Sequence, residues 1–143
     1  MAPPAVLIAD DDANDIFFLR RAFQKAGLNH PVLDVPDGER AIFYLSGEET
    51  YADRSRYPIP SVLFLDLKMP KVSGFEVLEW LQRQEALRDL KVVVLSSSGL
   101  PSDIQRAKDL GANDYRVKPA DIDDMIGMVQ EVAARWLKEP PPL

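Results

Sequence analysis

Val62-Leu63-Phe64-Leu65-Asp66-Leu67-Lys68-Met69-Pro70 is the stretch that decides the fold. Four apolar residues run into an aspartate, and a proline closes the extended run soon after. A short, continuous apolar run bounded by a breaker suits a strand buried on both faces, as in a parallel sheet covered by helices. The aspartate then stands at the strand's carboxyl end. Open α/β sheets bind their ligands in the crevice beyond those ends, so Asp66 occupies a position where chemistry is expected.

The rest of the chain repeats this pattern. Ala5-Val6-Leu7-Ile8-Ala9 is a second apolar strand, followed at once by Asp10-Asp11-Asp12. Ile16, Leu19, Ala22, Phe23 and Ala26 recur at helical spacing, with Asn14 or Asp15 suited to the N-cap and Gly27 to the C-terminal end. Val32 to Val35 reads as a strand, and Asp37-Gly38 opens a helix carrying Ala41, Ile42 and Leu45. Ser46 to Pro60 is polar, has no clear period and exceeds the usual connection length, which fits either a functional loop or a tolerated insertion. Within it, Tyr51 and Tyr57 are placed either to pack the loop down or to face a partner.

Beyond Pro70 and Gly74 a helix presents Phe75, Leu78 and Leu81. Lys91 to Leu95 is a fourth strand that stops at Ser96-Ser97-Ser98-Gly99. Pro101 and Ser102 start the next helix, which buries Ile104, Ala107 and Leu110. Tyr115-Arg116-Val117 forms a fifth strand leading to Lys118-Pro119, and the last helix runs from about Asp121 to Lys138. The proline-rich end, residues 139–143, cannot continue that helix. Strict alternation of strand and helix predicts one α/β domain over residues 1–143, a parallel sheet with helices on both faces.

Composition narrows the function classes. A net charge of -6 disfavours affinity for nucleic acid. The chain has no cysteine, which excludes disulfides, thiol catalysis and thiolate metal sites. No apolar run has the length of a membrane span, so no membrane partner is expected, and a cytoplasmic location is the simplest expectation.

In a parallel sheet all carboxyl ends share one edge, so Asp10, Asp11, Asp66, Ser96 and Lys118 are expected to converge. Two carboxylates about 4 Å apart repel by about 4 kcal/mol at an effective dielectric near 20. A dry cluster of three therefore needs compensation, which a divalent cation and the Lys118 ammonium supply. Oxygen ligands without Cys or His indicate a hard ion, most simply Mg²⁺. A carboxylate beside such an ion, an ammonium and a hydroxyl suits phosphoryl transfer, with Asp66 as acceptor because it stands alone on a central strand. Asp12 and Asp15 read as a first-turn cap and a helix-dipole partner. His30, the one histidine, precedes Pro31 in a turn and reads as a surface residue.

Ala9-Asp10-Asp11, Leu65-Asp66-Leu67-Lys68-Met69-Pro70 with Gly74, Leu95-Ser96-Ser97 and Tyr115-Arg116-Val117-Lys118-Pro119 together resemble the receiver domain of two-component response regulators. The Ser46 to Pro60 loop, the Asn113-Asp114-Tyr115 approach and the ending Arg135-Trp136-Leu137 are similar to the small single-domain regulators that partner bacterial phytochromes. The resemblance implies a flavodoxin-like five-stranded sheet in the order 2-1-3-4-5. It implies that Asp66 takes a phosphoryl group from a sensor histidine kinase or phosphotransfer protein. Asp10, Asp11, Asp66 and the Lys68 carbonyl would then hold Mg²⁺. Lys118, Ser96 and Ser97 would form the phosphoryl-binding surroundings, with Ser96 and Tyr115 as the switch pair and Pro119 as a candidate for a cis peptide bond. The output would be a changed face made by the fourth helix, the fifth strand and the last helix, read by a partner protein or a second copy in a homodimer.

Two departures from the family pattern stand out. Ser96 lacks the methyl of the commoner threonine, and Lys68 places a cation where the phytochrome group often has asparagine. A rival assignment, the Mg²⁺-dependent phosphohydrolase with an aspartyl nucleophile, requires a second acid two residues after the nucleophile, where this chain has Lys68. A receiver-like scaffold that takes no phosphoryl group is the other alternative, and the full set of expected groups argues against it. Neither glycine-rich phosphate loop is present.

Overall fold

Strands β1 (Val6–Ala9) and β3 (Val62–Leu65) are buried at every position, and that burial organises the molecule. They lie side by side in the middle of a five-stranded parallel sheet with β2 (Val32–Val35), β4 (Lys91–Ser96) and β5 (Asp114–Val117), in the order β2-β1-β3-β4-β5. This is the flavodoxin-like order expected. The computed structural model describes residues 4–138. The proline-rich end at 139–143 lies outside the described residues.

Because side chains alternate across a strand, each central strand feeds two cores. Leu7, Leu63, Leu65, Val92 and Val94 pack against α2 (Gly38–Ser46), α3 (Gly74–Gln82) and α4 (Pro101–Asp109) through Tyr44, Leu45, Val77, Leu78 and Ala107. Val6, Ile8, Val62, Phe64 and Val93 point the other way, against α1 (Ala13–Lys25) and α5 (Ile122–Trp136), meeting Leu19, Phe23, Met128, Val129 and Val132. Trp80 is partly buried against the first of these cores, and Trp136 against the second. Leu137, one residue past the end of α5, is buried in the second core.

Two glycines let loops close on the sheet's carboxyl edge. A methyl group at Gly38 would fall 2.0 Å from the Val72 carbonyl oxygen, and one at Gly74 would fall 2.3 Å from that of Asp66. The starts of α2 and α3 are thereby drawn against the segment that follows β3.

Three local expectations are corrected. Of the cap readings for α1, Asp12 holds and Asn14 or Asp15 does not, because the Asp12 carboxylate accepts from the N–H groups of Asn14 and Asp15. The last helix stops at Trp136 and leaves Asp121 outside as its cap, where the side chain accepts from Asp123 and Asp124. The 46–60 loop is more ordered than its lack of period implied: Glu49–Ala52 forms a 3-10 turn. Arg54 donates to the carbonyls of Tyr44, Leu45 and Tyr57. Tyr51 and Tyr57 pack edge-on against each other at 5.1 Å and close on Tyr44, so they hold the loop to α2.

Candidate phosphoacceptor site

The carboxyl edge gathers an acidic cluster from segments far apart in sequence. Asp66 N–H bonds the Ala9 carbonyl at 3.0 Å, and Asp10 N–H bonds the Val35 carbonyl at 3.2 Å. These bonds extend the β-ladder by one residue and place both carboxylates at the rim. Asp12 N–H then donates to Asp10 Oδ1 at 2.9 Å and fixes that side chain. Asp10, Asp11 and Asp66 bring carboxylate oxygens within 4.8 Å of one another, with Asp10 and Asp66 buried and Asp11 exposed.

Lys118 enters from the end of β5, where its N–H bonds the Ser96 carbonyl at 2.8 Å. Its Nζ lies 2.9 Å from Asp10 Oδ2, 3.5 Å from Asp66 Oδ2 and 2.7 Å from Asp15 Oδ2. Asp15 is the functional contact the sequence reading missed, having assigned it only to the helix dipole. The available signal was its place in the first turn of a helix that starts directly above the acidic edge.

The electrostatics follow from burial. Burial pushes the Asp66 carboxyl up to about 6, the Lys118 ammonium opposes the rise, and the Asp10 charge adds to it. Backbone N–H groups of Lys68 and Leu67 pull the other way. For Lys118, burial lowers the pKa, but hydrogen bonds to Asp15 and Asp10 and the charges of Asp66 and Asp10 outweigh it, so the ammonium is held well above its ordinary value. Three carboxylates, those of Asp10, Asp15 and Asp66, thus surround one ammonium, and Asp11 adds a fourth beside Asp10 and Asp66. An oxygen-only donor set with this surplus of negative charge fits a hard divalent cation.

The serine side of the edge is linked differently. Ser96 is fully buried at the end of β4, and its Oγ accepts from Ser98 N–H at 3.1 Å. The Ser98 carbonyl accepts from the Tyr115 hydroxyl at 2.7 Å, and Ser98 Oγ donates to Asp103 in α4 at 2.6 Å. Tyr115 is partly buried against the sheet face shared with α2, α3 and α4. Ser97 and Lys68 are exposed. Pro119 is a correction: no peptide bond among the described residues is cis, so Lys118–Pro119 is trans, the isomer X-Pro amides prefer by about 0.5–1 kcal/mol. His30 lies before β2, and its Nδ1 sits 3.1 Å from the Pro4 carbonyl oxygen. It is therefore at the edge opposite Asp66.

Comparison with known proteins agrees with this geometry. The chain is similar to the response regulator RPA3017 in red light signaling of R. palustris, with 34% identity over 98% of this chain and 99% of that one, at a TM-score of 0.88. It is similar to the phosphorylated cyanobacterial phytochrome response regulator RcpA, with 33% identity over 98% of each chain and a TM-score of 0.86. It is also similar to the Mn²⁺-bound form of the Synechocystis response regulator Rcp1, with 27% identity over 99% of this chain and 100% of that one, at a TM-score of 0.82. Among the described residues, no helix is long and apolar enough to cross a membrane. Residues 6–130 match the family described as "Response regulator receiver domain", and the chain belongs to that family of signalling domains, with phytochrome response regulators among its structural neighbours.

Proposed function

We propose that Asp66 accepts a phosphoryl group from a phosphohistidine on a separate sensor kinase or phosphotransfer protein, and that the chain works as a phosphorylation-operated switch. The observation that carries this is the meeting of Lys118 with Asp10 and Asp66 across more than fifty residues of sequence, at 2.9 and 3.5 Å. An Asp66 carboxylate oxygen attacks phosphorus, the bond from phosphorus to the imidazole nitrogen breaks, and the imidazole leaves with that electron pair. The Lys118 ammonium neutralises charge on the phosphoryl oxygens, and the Ser96 hydroxyl donates to one of them.

Asp10, Asp11, Asp66 and the Lys68 carbonyl would hold Mg²⁺. When bound, it supplies the positive charge that lets neighbouring carboxylates and a phosphoryl group share one site. Asp66 must be ionised to attack. Its raised pKa of about 6, with the opposing Lys118 charge included, leaves most of it ionised at neutral pH.

The switch follows from the serine chain. A Ser96 hydroxyl drawn to the phosphoryl group leaves Ser98 N–H, and the Ser98 carbonyl is where the Tyr115 hydroxyl is bonded. Movement at Ser96 thus reaches Tyr115 and, through Ser98 and Asp103, the start of α4. Charge-assisted hydrogen bonds are worth roughly 1.5–3 kcal/mol each, so two or three reach the about 5.5 kcal/mol that inverts a 1:99 equilibrium. The altered face is α4-β5-α5, where Leu100 and Val117 are exposed, and its reader is a partner protein or a second copy in a homodimer. Resemblance to the phytochrome response regulators favours a phytochrome-type kinase as donor.

Incubation with acetyl phosphate and Mg²⁺, followed by intact mass measurement, tests the assignment. One added phosphoryl group on the wild type and none on Asp66→Asn is the expected result. An unlabelled wild type, or equal labelling of both, overturns it.

A further inference from the structure

Asp15 stands apart from the acidic cluster but takes the shortest contact to its lysine. Lys118 Nζ donates to Asp15 Oδ2 at 2.7 Å, whereas Asp10 Oδ2 is at 2.9 Å and Asp66 Oδ2 at 3.5 Å. The three carboxylates differ sharply in exposure. The Asp15 side chain is 41% exposed, against 6% for Asp10 and 8% for Asp66. Its backbone is fixed, because Asp15 N–H is capped by Asp12 Oδ1.

An ammonium has three hydrogens to donate: Asp15 and Asp10 take hydrogen bonds from this one, and Asp66 at 3.5 Å attracts it by charge. A phosphoryl oxygen arriving on Asp66 draws the ammonium toward itself, against the pull of those two hydrogen-bonded partners. Asp10 is buried, and an ion left unpaired in a buried site is strongly penalised. Asp15 faces water and rehydrates on leaving. It is the one carboxylate of the three that can be exchanged at small cost.

We propose that Asp15 is a positioning residue that competes with the phosphoryl group for the Lys118 ammonium, and so sets how tightly the modified state is held. The proposal rests on the assignment of Asp66 as phosphoacceptor and adds a residue to it. Asp15 touches neither the phosphoryl group nor its acceptor and acts through Lys118 alone. Replacing it with neutral asparagine weakens the competitor and frees the ammonium.

The test is equilibrium binding of beryllium fluoride, a non-covalent mimic of an aspartyl phosphate, at saturating Mg²⁺, followed by fluorine NMR. Asp15→Asn is expected to tighten binding about three- to tenfold, a change that damage to the fold does not produce. Asp12→Asn is the charge control: it removes the same charge from the same helix start, and asparagine caps a helix as well as aspartate does. It is expected to change affinity less than twofold. Wild-type binding with no tightening in Asp15→Asn overturns this proposal alone. Equal tightening in both variants also overturns it, since the effect is then diffuse charge and not the Lys118 contact. A wild type that neither binds beryllium fluoride nor is labelled by acetyl phosphate fails the phosphoacceptor assignment, and this proposal with it.

Discussion

Gly74 sits against the main chain of Asp66, so close that a methyl group on it would lie 2.3 Å from the Asp66 carbonyl oxygen and 2.7 Å from Leu67 Cα. Backbone atoms cannot swing aside as a flexible side chain can, so Gly74→Ala must push α3 away from the segment after β3. We expect a loss of about 1–3 kcal/mol in urea unfolding, as for other overpacked sites. We also expect weaker Mg²⁺ binding, because that segment carries Asp66 and the Lys68 carbonyl. Gly127 in α5 is the contrasting case, with nothing within 4 Å of an added methyl. There alanine should stabilise the helix by about 0.5–1 kcal/mol. Equal effects at the two sites would remove the steric explanation.

Asp66 makes stability depend on pH in a definite direction. Its carboxyl titrates at 3.8 when unperturbed and at about 6 in the folded protein, because burial disfavours the charged form. Well below pH 3.8 the group is neutral in both states and contributes no penalty. As pH rises from about 4 to 6 the unfolded chain ionises first, and stability falls by up to about 3 kcal/mol at about 1.4 kcal/mol per unit. Above pH 6 the penalty is constant. In chelator, Asp66→Asn should therefore be more stable than the wild type at pH 7 and no more stable at pH 3.5. Thermal unfolding of both proteins across this range measures it. A gain that persists unchanged at pH 3.5 would point to a cause other than ionisation.

Strand identity and the convergence of Asp10, Asp11, Asp66 and Lys118 were legible because the runs of β1, β3 and β4 stop at Asp10, Asp66 and Ser96 and β5 leads into Lys118, whereas the strand order followed from the resemblance to receiver domains. The lengths of such runs are set locally, and a parallel sheet carries their ends to a common edge. What the sequence hid depends on three-dimensional approach. Asp15 meets Lys118 across 103 residues, and its place in the first turn of α1 puts it near the acidic edge without naming that partner. Arg54 looks like an ordinary charge in a polar loop, yet it donates to three carbonyls around the end of α2. Leu137 falls within the last helix as read from the sequence but lies one residue past the end of α5, where the packed structure turns it inward.

The 46–60 loop is predicted to be a structural anchor independent of the acidic edge. Arg54→Ala strands the carbonyls of Tyr44, Leu45 and Tyr57, and charged hydrogen bonds of this kind are worth about 1.5–3 kcal/mol each before water replaces them. The expected net loss is about 1–3 kcal/mol, with beryllium fluoride affinity unchanged. Tyr44 supplies a second check. Its hydroxyl donates to the Pro58 carbonyl at 2.8 Å, and burial pushes the phenol up to about 12. A phenol with a raised pKa loses stability as pH climbs from about 10 to 12, where the unfolded chain ionises and the folded one does not. Tyr44→Phe should abolish that alkaline loss, read by unfolding at pH 9 and 11. A variant that loses stability in the same way as wild type would rule out Tyr44 as its source.

Tyr115 links β5 to the serine edge through a single hydroxyl, and removing it is expected to separate phosphoryl acceptance from the response to it. In Tyr115→Phe the bond to the Ser98 carbonyl is gone, while Ser96, Ser98 and Asp103 keep theirs. The stability cost should be about 0.5–1.5 kcal/mol, that of one neutral hydrogen bond. Asp66 and Lys118 are untouched, so labelling by acetyl phosphate should proceed within about twofold of the wild-type rate. Amide shifts along β5 on adding beryllium fluoride should shrink, because the ring no longer moves with the Ser98 carbonyl. Those in the first turn of α4 should remain, carried by the Ser98 to Asp103 bond. If β5 responds in full without the hydroxyl, the ring's packing against the sheet and not its hydrogen bond carries the signal. Ser96→Ala would then have to be the variant that silences both segments together.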